Sequence, residues 1–310
     1  MAADGSGRDN GDMKVRIGFG TGARSGVEDQ SGFRRMVDEL ERLRFDSLWV
    51  SERIGAPGPD PTVAMSMAAA RTDRLKFGMS VMVLPGRNPV VLAKEMASLD
   101  VLSGGRLIPA FGLGAPQLAE HQAFGVRRED RASIFDESLQ LMRRLWTEEH
   151  VSHDGRWFSI EDVTVLPKPA QRPLDVWLGG IAPSELRRVG RLADGWLPSF
   201  VTPDDVAAGI ATIREITEQH DRHIDDEHYG VLIAYANGPI DERVAAFIAA
   251  RRPEVPIDRI VATSLDRLVE MIGQFVEVGA SKFVAVPFAP MVDITDELEA
   301  LAAVVRPLEN

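Results

Sequence analysis

The sequence predicts an α/β fold closed into a (β/α)8 barrel, a TIM barrel with small insertions. Two observations carry this. Apolar runs of strand type alternate with amphipathic helical patterns almost to the C-terminus, as parallel strands joined by right-handed crossovers require. Eight such units fit within 310 residues, the number and length of a closed barrel. The alternative is an open doubly wound sheet. Its usual marker is missing, because Gly18, Gly20, Gly22 and Gly26 do not fall in the G-x-G-x-x-G spacing.

The elements follow in order. Residues 14–20 (KVRIGFG) read as the first strand, and 32–44 as a helix with Phe33, Met36, Val37 and Leu40 at helical spacing. Residues 47–52 (SLWVSE) place three apolar residues in a row, as a strand buried on both faces does. The helix at 61–72 opens on Pro61, which suits a first turn. Strand 75–83 and helix 89–103 repeat that arrangement. Strand 106–114 leads into the long amphipathic helix 128–147. Then come strand 175–180, helix 184–193, strand 195–199, helix 203–220 and strand 228–236. Helix 264–279, strand 282–288 and helix 295–308 complete the set, with Thr263-Ser264 as an N-cap. Two stretches depart from the pattern. Residues 151–169 read as a hairpin turning on Asp154-Gly155, and 237–259 hold an extra helix and a Pro-bounded loop. No shift in composition marks a second domain. We expect a disordered lead-in over 1–12, which is small and polar, and one domain over 13–310.

A formal net charge of -12 without a basic tract argues against nucleic acid or an anionic membrane as partner. The chain has no cysteine, which excludes disulfides, thiolate zinc sites and a Cys nucleophile and fits a reducing cytoplasm. No apolar run approaches the ~20 residues of a membrane span.

In a barrel the chemistry sits at the C-terminal strand ends. Here those ends offer Ser51-Glu52-Arg53, Leu84-Pro85, a Gly-rich stretch at 112–115, Gly179-Gly180, Pro198-Ser199, Asn237 and Phe288. A metal site needs several carboxylates or histidines, and only Glu52 is present. The run from His220 to His228 is read as a solvated surface, so no metal is expected. A Schiff-base enzyme needs a lysine in the mouth, but Lys14, Lys76 and Lys282 sit at strand starts, with Lys94 and Lys168 elsewhere. What remains is a mouth of glycine and apolar groups, suited to a flat organic cofactor that supplies the chemistry.

The run GMSVMVLPGRNPVVLAKEMASLDVLSGGRLIPAFGLG (78–114) strongly resembles the bacterial-luciferase-like superfamily. So do FDSLWVSER (45–53), LGGIAPSELRRVGRLADGW (178–196) and ATSLDRLVEMIGQFVEVGASKF (262–283). The pattern looks closest to the branch of F420-dependent oxidoreductases, TIM barrels that bind a deazaflavin, with FMN in sister branches. By that resemblance Ser80-Val81 carries a non-proline cis peptide behind the central deazaflavin ring. Gly114 and Ala115 belong to the loop that meets the cofactor. Gly179, Gly180, Ile181 and Ala182 form the phosphate site at a helix N-terminus, and Gly195 and Trp196 approach the tail. Glu52 and Arg53 match a position where sugar-phosphate-oxidising relatives carry Asp and His. A guanidinium stays protonated, so Arg53 is not the base of an alcohol oxidation. Arg53 is expected to hold an anionic group or ring carbonyl, and Glu52 to bond the deazaflavin edge or fix Arg53.

The expected function is therefore hydride transfer between the deazaflavin C5 and a small organic substrate, in the direction of reduction by F420H2. The alternatives are an FMN-dependent monooxygenase and a non-catalytic deazaflavin carrier. The same resemblance implies a homodimer paired through the helices after the second and third strands.

Overall fold

The structure is a computed structural model, and it describes residues 13–22, 29–240, 242–289 and 291–310. The lead-in expected over 1–12 lies outside them. The first half runs β1 (Arg16–Thr21), α1 (Gln30–Arg42), β2 (Ser47–Val50), α2 (Pro61–Ala69), β3 (Lys76–Met79), β4 (Met82–Val83) and α3 (Pro89–Leu102). It continues through β5 (Leu107–Ile108), β6 (Ala110–Gly112), α4 (Leu118–Ala123) and α5 (Arg131–Thr147) to a hairpin, β7 (Val151–Asp154) and β8 (Ser159–Val163). The second half runs β9 (Trp177–Leu178), α6 (Pro183–Leu192), β10 (Gly195–Trp196), α7 (Pro203–Gln219), β11 (Gly230–Tyr235) and α8 (Glu242–Arg251). It ends on β12 (Val261–Ala262), α9 (Leu265–Glu277), β13 (Lys282–Pro287) and α10 (Ile294–Val305).

The strands close on themselves. Parallel pairing joins β11, β13, β1, β2, β3 and β5 in that order, and a second set joins β4, β6, β9 and β10. Segments β3 and β4 are one barrel strand interrupted at Ser80-Val81, whose peptide is cis. Segments β5 and β6 are another, interrupted at Pro109, which has no N–H to give to the ladder. Bridges Trp196↔Tyr229 and Ser199↔Leu232 then join the sixth barrel strand to the seventh and complete the ring. The eight expected strands are present in sequential order. Two short elements were not expected: α4, and β12, which pairs with the far end of β11. The hairpin forms as expected, its turn closed by the Gly155 amide donating to Phe158 O.

Local chemistry explains the helix starts. Asp60 accepts from the amides of Thr62 and Val63, and Asn88 from those of Val90 and Val91, each ahead of a proline at the first turn. Ser264 caps α9 through the Arg267 amide. The main core lies between the barrel and its helices. A second cluster fills the barrel itself, with Trp49, Trp177, Leu197, Val284 and Val286, where the two indoles meet edge to face at 6.4 Å. At the strand starts Lys282 and Lys76 converge on Asp46, so that end is closed by charge pairing. The opposite end opens.

Candidate active site

The C-terminal strand ends surround a cavity of about 580 Å³. Its floor is made by Ser80-Val81 from the third barrel strand, Gly112 to Pro116 from the fourth, and Gly179-Gly180 from the fifth. Gly112 is required by a close approach: a Cβ there would stand 2.3 Å from Val81 Cγ2. Gly114 has φ +83°, a backbone that only glycine adopts without strain. The hydroxyls of Ser51 and Ser80 are 3.2 Å apart at the same level.

Glu52 lies in the wall, 9% exposed. Its Oε2 accepts from the Val83 amide at 2.6 Å, and its Oε1 accepts from the Arg87 guanidinium. Arg87 also donates to Val83 O at 2.9 Å. Burial raises the Glu52 carboxyl above its ordinary value, against the pull of the Val83 amide and Arg87. This corrects one expectation: Glu52 does not fix Arg53. Its partner is Arg87, from a segment that the sequence alone presents as a turn. Arg53 instead reaches Gln117 Oε1 at 3.4 Å across the mouth.

The phosphate site expected at the start of α6 also differs. The amides of Ile181 and Ala182 donate to Glu185 Oε2, at 3.1 and 3.0 Å. Ala182 has no side chain to cap the helix, so the glutamate reaches back and occupies these donors itself. Gly179 and Gly180 line the cavity, whereas Ile181 and Ala182 do not. Gly195 and Trp196 are likewise behind the wall: Trp196 is fully buried, packs against Gly209 and donates to Gly180 O at 2.9 Å. The indole therefore holds the Gly180 loop from behind.

The upper wall comes from α8, in the 237–259 stretch that the sequence marks only as an extra helix and a loop. Arg243, Phe247 and Arg251 stand at i, i+4 and i+8 on one face of α8 and line the cavity with Phe200 and Phe288. Val244 and Ile248 form the buried face of the same helix. That second row of four-residue spacing was available in the sequence as a signal. Among the described residues, the cavity lining contains no His, Lys or Asp, and its two carboxylates, Glu52 and Glu185, both have partners. No group of three or more His, Asp or Glu among the described residues is placed to hold a metal ion.

Residues 13–255 match the family model described as luciferase-like monooxygenase, which is most of the chain. The chain belongs to this luciferase-like family. Within it, the chain is 34% identical over 185 residues to an F420-dependent glucose-6-phosphate dehydrogenase of Intrasporangium calvum. That match covers 54% of this chain and 54% of the relative, so the chain spans about half the length of that protein. Two solved structures share the luciferase-like fold along almost their whole length. Monooxygenase RslO1 from Streptomyces bottropensis aligns with a TM-score of 0.78 at 21% identity, covering 95% of this chain and 99% of that one. An F420-dependent secondary alcohol dehydrogenase in complex with an F420-acetone adduct aligns at 0.79 and 19%, covering 96% and 100%. The luciferase-like barrel thus accounts for the closed ring of strands seen here.

Proposed function

We propose that the chain is a cytoplasmic F420-dependent oxidoreductase, with residues 13–310 as one luciferase-like domain and a small organic molecule as substrate. The observation that carries this reading is the cavity itself. Its floor is backbone and glycine, flat enough for a ring, and among the described residues its two carboxylates, Glu52 and Glu185, already have partners. The names of the relatives support F420 as the organic cofactor.

The residues fit such a group. Gly112, Gly114 and Ala115 leave room for a ring against the backbone, with Ser80-Val81 behind it. Arg131 and Arg188 line the same cavity and offer positive charge to a phosphate-bearing tail near Gly179-Gly180. When bound, the deazaflavin supplies a hydride at C5. The protein's part is to orient the acceptor over that floor and to exclude water with the Phe200, Phe247 and Phe288 wall. Arg53 stays protonated and holds negative charge at the mouth. With Glu52 tied to Val83 and Arg87, no group among the described lining residues is set to deprotonate an alcohol, which favours reduction by F420H2. We also propose a homodimer through α2 and α3, where Val63, Val91 and Leu102 stand 65%, 54% and 86% exposed.

Titration of the purified chain with F420 and with FMN, followed by difference absorbance, tests the cofactor. Saturable F420 binding without FMN binding is expected. FMN binding alone would replace this reading with an FMN-dependent monooxygenase. F420 binding without oxidation of F420H2 by any of a panel of enones, imines and quinones would leave a non-catalytic carrier.

A further inference from the structure

Arg53 and Arg251 face the mouth without a carboxylate partner among the described residues. Among the described residues, no carboxylate lies within 4 Å of Arg53 or Arg251, although most arginines of this acidic chain are paired. Both line the cavity. Partial desolvation, and then the charge of Arg53, lower the Arg251 guanidinium from its ordinary value. The Arg251 guanidinium carbon sits 5.4 Å from the Phe200 ring centre and 5.3 Å from that of Phe247. Phe288 meets Phe200 edge to face at 5.9 Å. Phe247 remains 47% exposed, an apolar ring facing the cavity from a surface helix.

Aromatic faces against a guanidinium hold its plane and leave its N–H edge for a planar anion. Two cations lining one cavity, with no carboxylate of the described residues within 4 Å of either, favour an anion there. A neutral substrate would leave both cations unpaired, and a polyhydroxylated one would leave three phenyl rings without an apolar partner. We propose that the cavity selects an organic anion with a flat apolar body, of the aryl carboxylate class. Its carboxylate is held by Arg251 and Arg53, and its ring rests against Phe247, Phe200 and Phe288. This rests on the reading of the cavity as an oxidoreductase site and adds the substrate class to it.

The test uses calorimetry on the whole protein, with and without F420, and three probes: trans-cinnamate, trans-cinnamamide and acetate. Cinnamate is expected to bind at least about 10-fold tighter than either other probe, since acid and amide differ by one charge-assisted contact. Arg251→Met should bring cinnamate down to the affinity of the amide and leave F420 affinity within about threefold. Arg251→Lys, which keeps the charge but not the fork, should recover part of the loss. Phe247→Ala should weaken acid and amide alike. Equal binding of acid and amide to the unaltered protein, or no binding of cinnamate, overturns the proposal. So does an Arg251→Met variant that loses F420 and keeps cinnamate, because the cation would then belong to the cofactor. If F420 itself does not bind, the cofactor reading fails, and the cinnamate comparison on the protein alone still decides this one.

Discussion

The carboxylate of Glu52 is held by Arg87, 35 residues further along the chain, and not by Arg53 beside it. One oxygen takes the guanidinium and the other takes the Val83 amide. The pair therefore ties the end of the second barrel strand to the third, just beyond the Ser80-Val81 bend. It shapes the wall of the cavity and leaves Arg53 free to face its contents.

Breaking that pair should cost stability. Glu52→Ala leaves Arg87 without its partner and the Val83 amide without an acceptor. A loss of about 2–3 kcal/mol is expected, less than the ~3–5 kcal/mol of a fully buried pair, because Arg87 is partly exposed and Asp60 is 3.9 Å away. Arg53→Met should stay within about 0.5 kcal/mol of the parent. Urea unfolding of both variants checks this, and equal losses would show that Glu52 has no such tie.

The pH dependence of stability should carry the mark of Asp46. Burial alone would raise its carboxyl, but Lys282 and Lys76 outweigh that and hold it well below the ordinary 3.8. A depressed carboxylate stabilises fully above its unfolded value, and the contribution is lost as pH falls below about 4. Asp46→Asn should thus be clearly destabilised at pH 7 and should approach the parent as pH is lowered from about 5 to about 2. A difference that does not narrow would mean that the Lys282 pairing contributes nothing.

The barrel was legible because strand and helix carry different periods. Leu48, Trp49 and Val50 are buried on both faces, and Phe33, Met36, Val37 and Leu40 line one side of α1, so each element announced itself. Breaks within strands were less visible. Pro109 could be read as an interruption, whereas the cis peptide at Ser80-Val81, which the structure has, was expected from the family resemblance and not from the run of residues itself. The floor residues were legible through their glycines. The partners were not, because ion pairs such as Glu52–Arg87 join distant segments, and local sequence cannot choose between Arg53 and Arg87. The same limit hid Glu185, which was visible only as an ordinary acid in a first helical turn.

The exposed face of α2 and α3 supports a solution measurement. Val63→Asp with Val91→Asp adds charge where the two helices would meet a second copy. Light scattering should give twice the 34.0 kDa chain mass for the parent and 34.0 kDa for the double variant. A parent that already runs at 34.0 kDa removes the dimer.

Glu185 sets up a competition at the start of α6. Its Oε2 accepts from the Ile181 and Ala182 amides, and Glu185 itself lines the cavity beside Gly179-Gly180. The position also lies under the positive end of the helix dipole, which favours whichever anion is there. Glu185→Ala should therefore act in two directions. Removing the cap should destabilise the fold by about 1 kcal/mol. Freeing the amides and removing a like charge should tighten F420 binding by about threefold to tenfold, the equivalent of ~1 kcal/mol. Glu185→Gln, which keeps a carbonyl acceptor but no charge, should fall between the two in both respects. Thermal unfolding and fluorescence titration on the same samples separate the effects. If affinity is unchanged while stability falls, the amides serve the helix alone and an anionic tail rests on Arg131 and Arg188.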